Sequence, residues 1–423
     1  MRFHIETYGC TSNFGNSNQV EEALISLGHL NSAIEEADAV IVNTCAVTEK
    51  TERKMLKRLR LLQGDRLIIA GCLPAAVAGS VEQISCRKKL GVLNRSAAKE
   101  IAGSFSDDFS RKASLKRCIP AASIPDNLCG IINIAEGCQG KCSYCIVRRA
   151  RGDLVSRDPE EIVELARSMI ESGTVELQLA AQDTAAWGLD IGSSLPELLA
   201  RVIKIPGRFM VRVGMMNPNT AQPILNEMVE AFRSPKVYKF VHMPVQSGSD
   251  EILEKMRRGY TADDYMEIIR LLRAKLPEIS FATDVIAGFP GETEEDFAKT
   301  LKLMELTRPD KINITRYSKR PQTLASELYD MPDRIKKERS RKLTKLWLTT
   351  ASENNRQYLG RILEILVTEI GRNKTMKART QNYTGVVIRG EPPLGSQQTV
   401  KITTFGPFYL TATIASHQSK TPF

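Results

Sequence analysis

Between residues 128 and 330 strand-like and helix-like runs alternate six times, and this alternation restricts the possible folds more than any other feature of the chain. Runs rich in β-branched and apolar residues fall at 131–135, 175–181, 209–213, 239–243, 279–286 and 311–317. Helical patterns lie between them, among others at 159–171, 221–233, 263–276 and 294–307. Six such units predict a partial, open version of the β/α barrel, with chemistry at the C-terminal ends of the strands.

A shorter alternation precedes this one. Strand-like runs at 3–8, 37–42 and 66–70, with helical stretches at 17–27 and 47–62, predict an open α/β sheet. A polar segment at 104–116 marks its end, so the first domain is expected at 1–115 and the barrel domain at 125–355. The stretch 333–358 reads as a basic helix. Beyond it, short β-like runs at 362–369, 376–379, 385–388, 399–404 and 409–414 predict a small β-barrel at 357–420. Residues 357–423 carry eight Lys or Arg against three Asp or Glu. The expected class is α/β throughout the first two domains.

Composition narrows the function. Hydrophobic residues at 42% and charged ones at 26% exclude a disordered chain. No run approaches the roughly 18 apolar residues of a membrane helix, and the start MRFHIETYGC lacks a secretory pattern. A cytoplasmic protein with no membrane partner is expected, with a monomer as the default. The balance of 59 Lys+Arg against 49 Asp+Glu favours a polyanionic partner such as nucleic acid. Nine cysteines without an export signal favour metal or redox chemistry over disulfides.

The densest chemical signal is EGCQGKCSYC, which holds Cys138, Cys142 and Cys145. Three closely spaced thiolates suit an iron–sulfur cluster or zinc. None of the four histidines lies near enough in sequence to complete a closed zinc site. Three ligands on a four-iron cluster leave one iron open to a substrate or cofactor. Cys10 (TYGC), Cys45 (VNTC) and Cys72 (IAGC) each directly follow a predicted strand of the first domain. Strand ends in an open α/β sheet converge on one edge, so these three are candidate ligands of a second centre; the alternative is three small buried apolar residues. Cys86, Cys118 and Cys129 read as ordinary thiols.

With Tyr144 before its last cysteine, the motif resembles the radical S-adenosylmethionine superfamily. Together with TYGC, NTCAVT and AGCLP, and with NIAEGCQGKCSYCIVRRARG, HMPVQSGSDEILEKMRRGYT, TDVIAGFPGETEEDF and YSKRPQT, essentially the whole chain resembles the radical S-adenosylmethionine methylthiotransferases. The C-terminal region is similar to the RNA-binding TRAM domain. The resemblance implies two 4Fe-4S clusters, one on Cys138, Cys142 and Cys145 and an auxiliary one on Cys10, Cys45 and Cys72. It also implies S-adenosylmethionine as source of a 5′-deoxyadenosyl radical and of the methyl group, an electron-donor protein and a sulfur source. VRVGMMNPNT resembles the subgroup that acts on N6-threonylcarbamoyladenosine in the tRNA anticodon loop. The other branches act on N6-isopentenyladenosine or on a ribosomal protein aspartate. A reading from a different class is a non-catalytic RNA-binding metalloprotein.

Further candidates follow by position. Tyr144 in the cysteine loop, Gln182 and Asp183 at the end of the second barrel strand, Arg212 at the end of the third, and Gln246 and Ser247 at the end of the fourth are expected near S-adenosylmethionine, Arg212 against its carboxylate. Gly248 is expected to let backbone approach the cofactor. Asp284 is a further candidate, and Thr293 with Asp296 reads as a capping box. Arg148, Arg149 and Arg151 are expected to meet phosphate near the reacting base. Arg361, Arg372, Lys374, Lys377, Arg379, Arg389 and Lys401 are candidate phosphate contacts of the C-terminal domain, with Tyr383, Phe405, Phe408 and Tyr409 as stacking candidates or core. Two departures stand out: Gln322 replaces the Gly of the family's RPGT, predicting another turn there, and AAQD lacks the usual Gly before Gln182.

Overall fold

A computed structural model describes residues 1–105 and 128–415; Cys118 and most of the expected boundary segment lie outside them. In the first domain β1 (Arg2–Thr7), β2 (Leu30–Asn31), β3 (Ala39–Thr44), β4 (Gly64–Gly71) and β5 (Cys86–Lys89) form one sheet in the order β2-β1-β3-β4-β5, every pairing parallel. All six residues of β3 are buried, as a central parallel strand covered on both faces requires. Helix α1 (Thr11–Ser26) follows β1, α2 (Glu49–Leu62) follows β3, and the short α3 (Cys72–Ala76) follows β4. Thr48 starts α2 by accepting the Thr51 amide at 3.2 Å, which satisfies one of the first-turn donors. Strand β5 escaped the sequence reading because Arg87, Lys88 and Lys89 erase its apolar signal; the same charges blunt an exposed sheet edge.

The central domain carries six parallel strands. β6 (Cys129–Asn133) is followed by a short ribbon, β7 (Ala135–Glu136) against β8 (Val155–Ser156), which pins the base of the loop holding the cysteine motif. Then come β9 (Glu176–Ala180), β10 (Met210–Val213), β11 (Phe240–His242), β12 (Ser280–Ala287) and β13 (Lys311–Arg316). They pair as β10-β9-β6 and β11-β12-β13, and single bridges between Val211 and Val237 and between Met215 and His242 join the halves. The barrel is therefore open, with β6 and β13 as its edges. The helix expected at 221–233 is broken into Pro218–Ala221, a 3-10 turn at Gln222–Ile224, and Leu225–Arg233. Pro223 has no amide to donate, and its ring crowds the preceding turn. Capping boxes start the helices Ala262–Lys275 and Glu294–Thr307, the second being the expected Thr293 with Asp296.

After the helix Asp333–Arg356, β14 (Ile362–Ile370), β15 (Thr375–Thr380), β16 (Gly385–Arg389), β17 (Gln397–Phe405) and β18 (Leu410–Ile414) close into a barrel in the order β14-β15-β16-β18-β17. The turn between β15 and β16 docks on the floor of the central barrel, at the N-terminal ends of its strands. There Lys239 donates its amide to the Gln381 carbonyl at 2.9 Å, and Asn382 Nδ2 donates to the Glu278 carbonyl at 3.1 Å. Glu176, fully buried, accepts from Gln178 Nε2 at 2.7 Å, Tyr383 OH at 3.0 Å and Tyr238 OH at 3.1 Å, and faces Arg379 Nε at 3.5 Å. No helix among the described residues is long and apolar enough to cross a membrane.

Candidate active site

The loop after β6 brings the first cysteine trio to the barrel mouth. Gly137 takes φ +78, and a Cβ there would fall 1.8 Å from the Asp153 carbonyl oxygen, so only glycine lets the chain turn into Cys138. Cys138 then donates its amide to the Gly152 carbonyl at 3.2 Å. The Gly140 amide donates to Cys138 Sγ at 3.2 Å and the Val147 amide to Cys145 Sγ at 3.4 Å. Arg258 Nη1 donates to Cys142 Sγ at 3.1 Å. These donors all favour negative sulfur, whereas burial pushes the Cys138 thiol up and the Cys145 thiol up to about 12. Tyr144 packs edge-on against Phe289.

The second trio collects three strand ends from across the first domain. Cys10 caps α1 after β1, Cys45 follows β3, and Cys72 opens α3 after β4. Gly71 takes φ +95, and a Cβ there would meet Asn43 Oδ1 and the Thr44 backbone at 2.4–2.6 Å. Asn13 Oδ1 lies 3.9 Å from Cys10 Sγ and 3.8 Å from Cys72 Sγ, and a Cβ on Gly9 would lie 3.1 Å from Cys45 Sγ. The three thiols therefore share one neighbourhood despite sequence gaps of 35 and 27 residues. Burial pushes Cys45 up and Cys72 up to about 11. Among the described residues no three His, Cys, Asp or Glu side chains are drawn tightly enough for a single metal ion. Both trios are wider groupings whose donors are thiols only, a set that suits iron–sulfur clusters.

Arg151 joins the two sites. It ends the helix Val147–Arg151 that begins two residues after Cys145, and its side chain is 2% exposed. It pairs with Glu136 and donates to Asn13 Oδ1 at 2.5 Å and Asn16 Oδ1 at 3.1 Å, beside Cys10 and Cys72. The expectation that Arg151 meets phosphate is thus overturned: it is buried between domains. Arg149 donates through Nε to the Ala76 carbonyl at 3.0 Å, and Arg148 to Asp153 at 2.8 Å. Asn133 Nδ2 donates to the Ser12 carbonyl, the Glu49 amide to Ser318 Oγ, and Arg320 pairs with Glu52 at 2.6 Å. The first domain therefore sits across the barrel mouth.

The other candidates divide. Gln182 Oε1 is buried without a partner, an acceptor left for a ligand. Gln246 holds φ +73, a conformation unusual for a side-chain-bearing residue that such sites keep for function. Asp183 is occupied, accepting the Asn217 amide at 3.0 Å and Thr220 Oγ1 at 2.8 Å. Ser247 is fully buried against Thr300, and the missing Cβ of Gly248 faces the Thr300 and Lys299 backbone, so that glycine serves helix packing and not cofactor approach. Arg212 lies over the rings of Phe240 and Tyr383 at the floor, away from the mouth. Arg379 is held there too, 4.3 Å from the Tyr383 ring, whereas Arg361, Arg372, Lys374, Lys377, Arg389 and Lys401 are exposed. Phe405 joins the small core; Phe408 and Tyr409 face solvent. Gln322 keeps φ +60, so the turn usually made by glycine is retained and the glutamine carries the strain.

Arg258 escaped the sequence reading, as did the partners of the candidate Asp284. Arg258, buried, also donates through Nη2 to Asn217 Oδ1 at 2.9 Å and through Nε to Tyr260 OH at 2.8 Å; the RRGY string around it was the available signal. Inside the barrel, Asp284 Oδ1 lies 2.9 Å from His242 Nε2 and accepts from Asn313 Nδ2 at 2.6 Å.

An open six-stranded barrel with a three-thiol loop at its mouth defines a radical S-adenosylmethionine enzyme. The Radical SAM superfamily matches residues 132–304, the uncharacterized protein family UPF0004 matches 2–90, and the TRAM domain matches 356–415. The chain belongs to the threonylcarbamoyladenosine tRNA methylthiotransferase family. It is 41% identical to a probable member from Archaeoglobus fulgidus, over 99% of this chain and all of that one. It is 31% identical to the Homo sapiens member, over 93% of this chain and 70% of that one. In fold it is similar to TsrM, a radical S-adenosylmethionine methyltransferase from Kitasatospora setae, with TM-score 0.56, 16% identity and 77% of each chain covered.

Proposed function

We propose that this protein converts N6-threonylcarbamoyladenosine in the anticodon loop of tRNA to its 2-methylthio derivative, in the cytoplasm, with division of labour among 1–115, 125–355 and 357–420. The observation that carries the reading is the pair of thiol trios, linked by Arg151, which leaves the cysteine loop and ends beside Cys10 and Cys72. The substrate named for the relatives supports the choice among branches. Cys138, Cys142 and Cys145 would hold one 4Fe-4S cluster, Cys10, Cys45 and Cys72 the other, and Tyr144, Gln182 and Gln246 are the retained candidates beside S-adenosylmethionine. When bound, these groups supply one-electron cleavage of S-adenosylmethionine, the inserted sulfur and the methyl group.

The chain's own residues orient and enclose. Arg258 holds a fixed positive charge on Cys142 Sγ in a buried setting, where it acts more strongly than in water. Arg151 and Asn13 fix the approach of the two domains. The first domain, laid over the mouth, limits water at the reacting base. Exposed cations of the C-terminal barrel, with Arg372 and Lys374 beside Thr375 and Arg389 across from it, are available for RNA phosphate. The reaction also needs a reductant and a sulfur donor.

The test is nucleoside mass spectrometry after anaerobic incubation of cluster-loaded protein with the modified tRNA, S-adenosylmethionine and reductant. Wild type should yield the methylthio nucleoside. Cys142→Ala should lose both product and 5′-deoxyadenosine, while Cys72→Ala should lose product and keep 5′-deoxyadenosine. Release of 5′-deoxyadenosine by wild type without the methylthio nucleoside would show that the substrate is another.

A further inference from the structure

The open barrel has two edges, and they are treated differently. The β6 edge is covered by α1, whose Gly15 packs on Asn133. The β13 edge instead borders a cleft of about 600 Å³ between the start of α2, the segment after β13 and the helix Asp333–Arg356. Thr48, three residues past Cys45, lines it from one side. Tyr317 lines it from the other and stacks on Phe289 with ring centroids 5.5 Å apart, and Phe289 in turn meets Tyr144 at 6.4 Å. The cleft thus begins three residues from Cys45 and lies two aromatic rings from Tyr144 of the cysteine loop.

Its walls are polar and cationic. Lys336 is held by Asp330 at 2.6 Å, and Arg53 by Glu49. Lys50, Arg316 and Lys319 are exposed and make no ion pair among the described residues. Asp333 lies 4.0 Å from Lys336, and hydroxyls of Thr48, Thr315, Ser318, Ser340 and Thr344 line the rest, with Ile314 and Tyr317 the apolar members. Three unpaired cations over a hydroxyl-lined trough match a sugar–phosphate chain, which offers repeated charge and hydrogen-bond acceptors. An apolar ligand would find almost nothing to bury.

We propose that this cleft is the track for the RNA backbone beside the reacting base, with Lys50, Arg316 and Lys319 as its phosphate contacts. It deepens the reading of a tRNA substrate and rests on it. The three arginines after the cysteine loop are spent on Asp153, the Ala76 carbonyl and Glu136, while Lys141 within the loop is exposed, so the cleft meets the backbone on one side of the base, with the C-terminal barrel gripping RNA further away.

The experiment titrates unmodified-at-C2 tRNA with cluster-loaded protein across a salt series, comparing wild type with Lys50→Gln/Arg316→Gln/Lys319→Gln. The variant should bind at least about tenfold more weakly, and its log–log salt slope should shrink by roughly 0.7 per lost contact, about 2 in all. S-adenosylmethionine cleavage without RNA should match wild type, which shows that the clusters and fold are intact. Ultraviolet cross-linking of wild type should place RNA adducts within 48–53 or 314–319. Unchanged affinity and slope, or adducts confined to 357–415, overturns the cleft while leaving the proposed function standing. A wild type that binds no tRNA and makes no methylthio nucleoside overturns both.

Discussion

The mouth and the floor of the central barrel are both closed by another domain, and both closures bury an arginine against a carboxylate. At the floor, Glu176 meets Gln178, Tyr238 and Tyr383 with Arg379 behind them, and the Cys129 thiol donates to it at 3.6 Å. Both Glu176 oxygens are satisfied, and the unpartnered Nε atoms there belong to Arg379 and Arg212, whose guanidiniums lie over the rings of Tyr383 and Phe240. At the mouth, Arg151 and Glu136 pair beside Cys72, whose thiol burial pushes up to about 11, and Gln182 Oε1 has no partner. The same residue types therefore make a joint at one end and a site at the other. The difference lies in what is left over: the floor leaves guanidinium donors packed on aromatic rings, whereas the mouth leaves an acceptor, Gln182 Oε1, open to a ligand.

The sharpest way to break this contrast is at the floor. Glu176→Ala leaves Arg379 and two tyrosine hydroxyls without their buried acceptor and should cost about 3–5 kcal/mol, read as a lower urea midpoint. The folded fraction should still cleave S-adenosylmethionine. A cost below about 1 kcal/mol would mean that apolar packing of Tyr238, Phe240 and Leu366 holds the domains, and the comparison with the mouth would fail.

At the mouth the expected loss is in activity. Arg151→Met should lower methylthio product roughly 10–100-fold, the usual effect of removing a group that orients metal ligands, while 5′-deoxyadenosine release stays near wild type. Arg151→Lys should rescue poorly, because one ammonium cannot span Glu136, Asn13 and Asn16 as a planar guanidinium does. Unfolding without a change in activity per folded molecule would make Arg151 a second Arg379.

The smallest effect tests strain beside the mouth. Gln322→Gly should raise stability by about 1 kcal/mol, partly offset by the greater freedom of glycine in the unfolded chain. A differential scanning measurement decides it: a midpoint that falls would show that the Gln322 side chain contributes more than its backbone costs.

Legibility followed the length scale of each feature. The loop trio could be read from spacing because its cysteines lie within eight residues. The dispersed trio could be read because each cysteine follows a strand, and parallel strands bring their ends to one edge. Arg148, Arg149 and Arg151 look alike in a string, yet only the approach of the first domain turns Arg151 into a buried link. Likewise Tyr383 and Arg379 resemble an RNA-stacking pair until the turn between β15 and β16 docks on the barrel floor. Arg212 sits on the third strand as expected, but its direction depends on that same docking.

The sequence alone determined most of the elements, the two cysteine trios and the family, because periodicity, caps and short-range motifs act within a few residues of the chain. Capping at Thr293 and the break at Pro223 are of this kind. Only the tertiary structure decided which charges are spent and which are free, since a guanidinium's role depends on the groups brought to it from 73, 135 or 138 residues away. Burial makes those long-range encounters strong, and no local pattern encodes them.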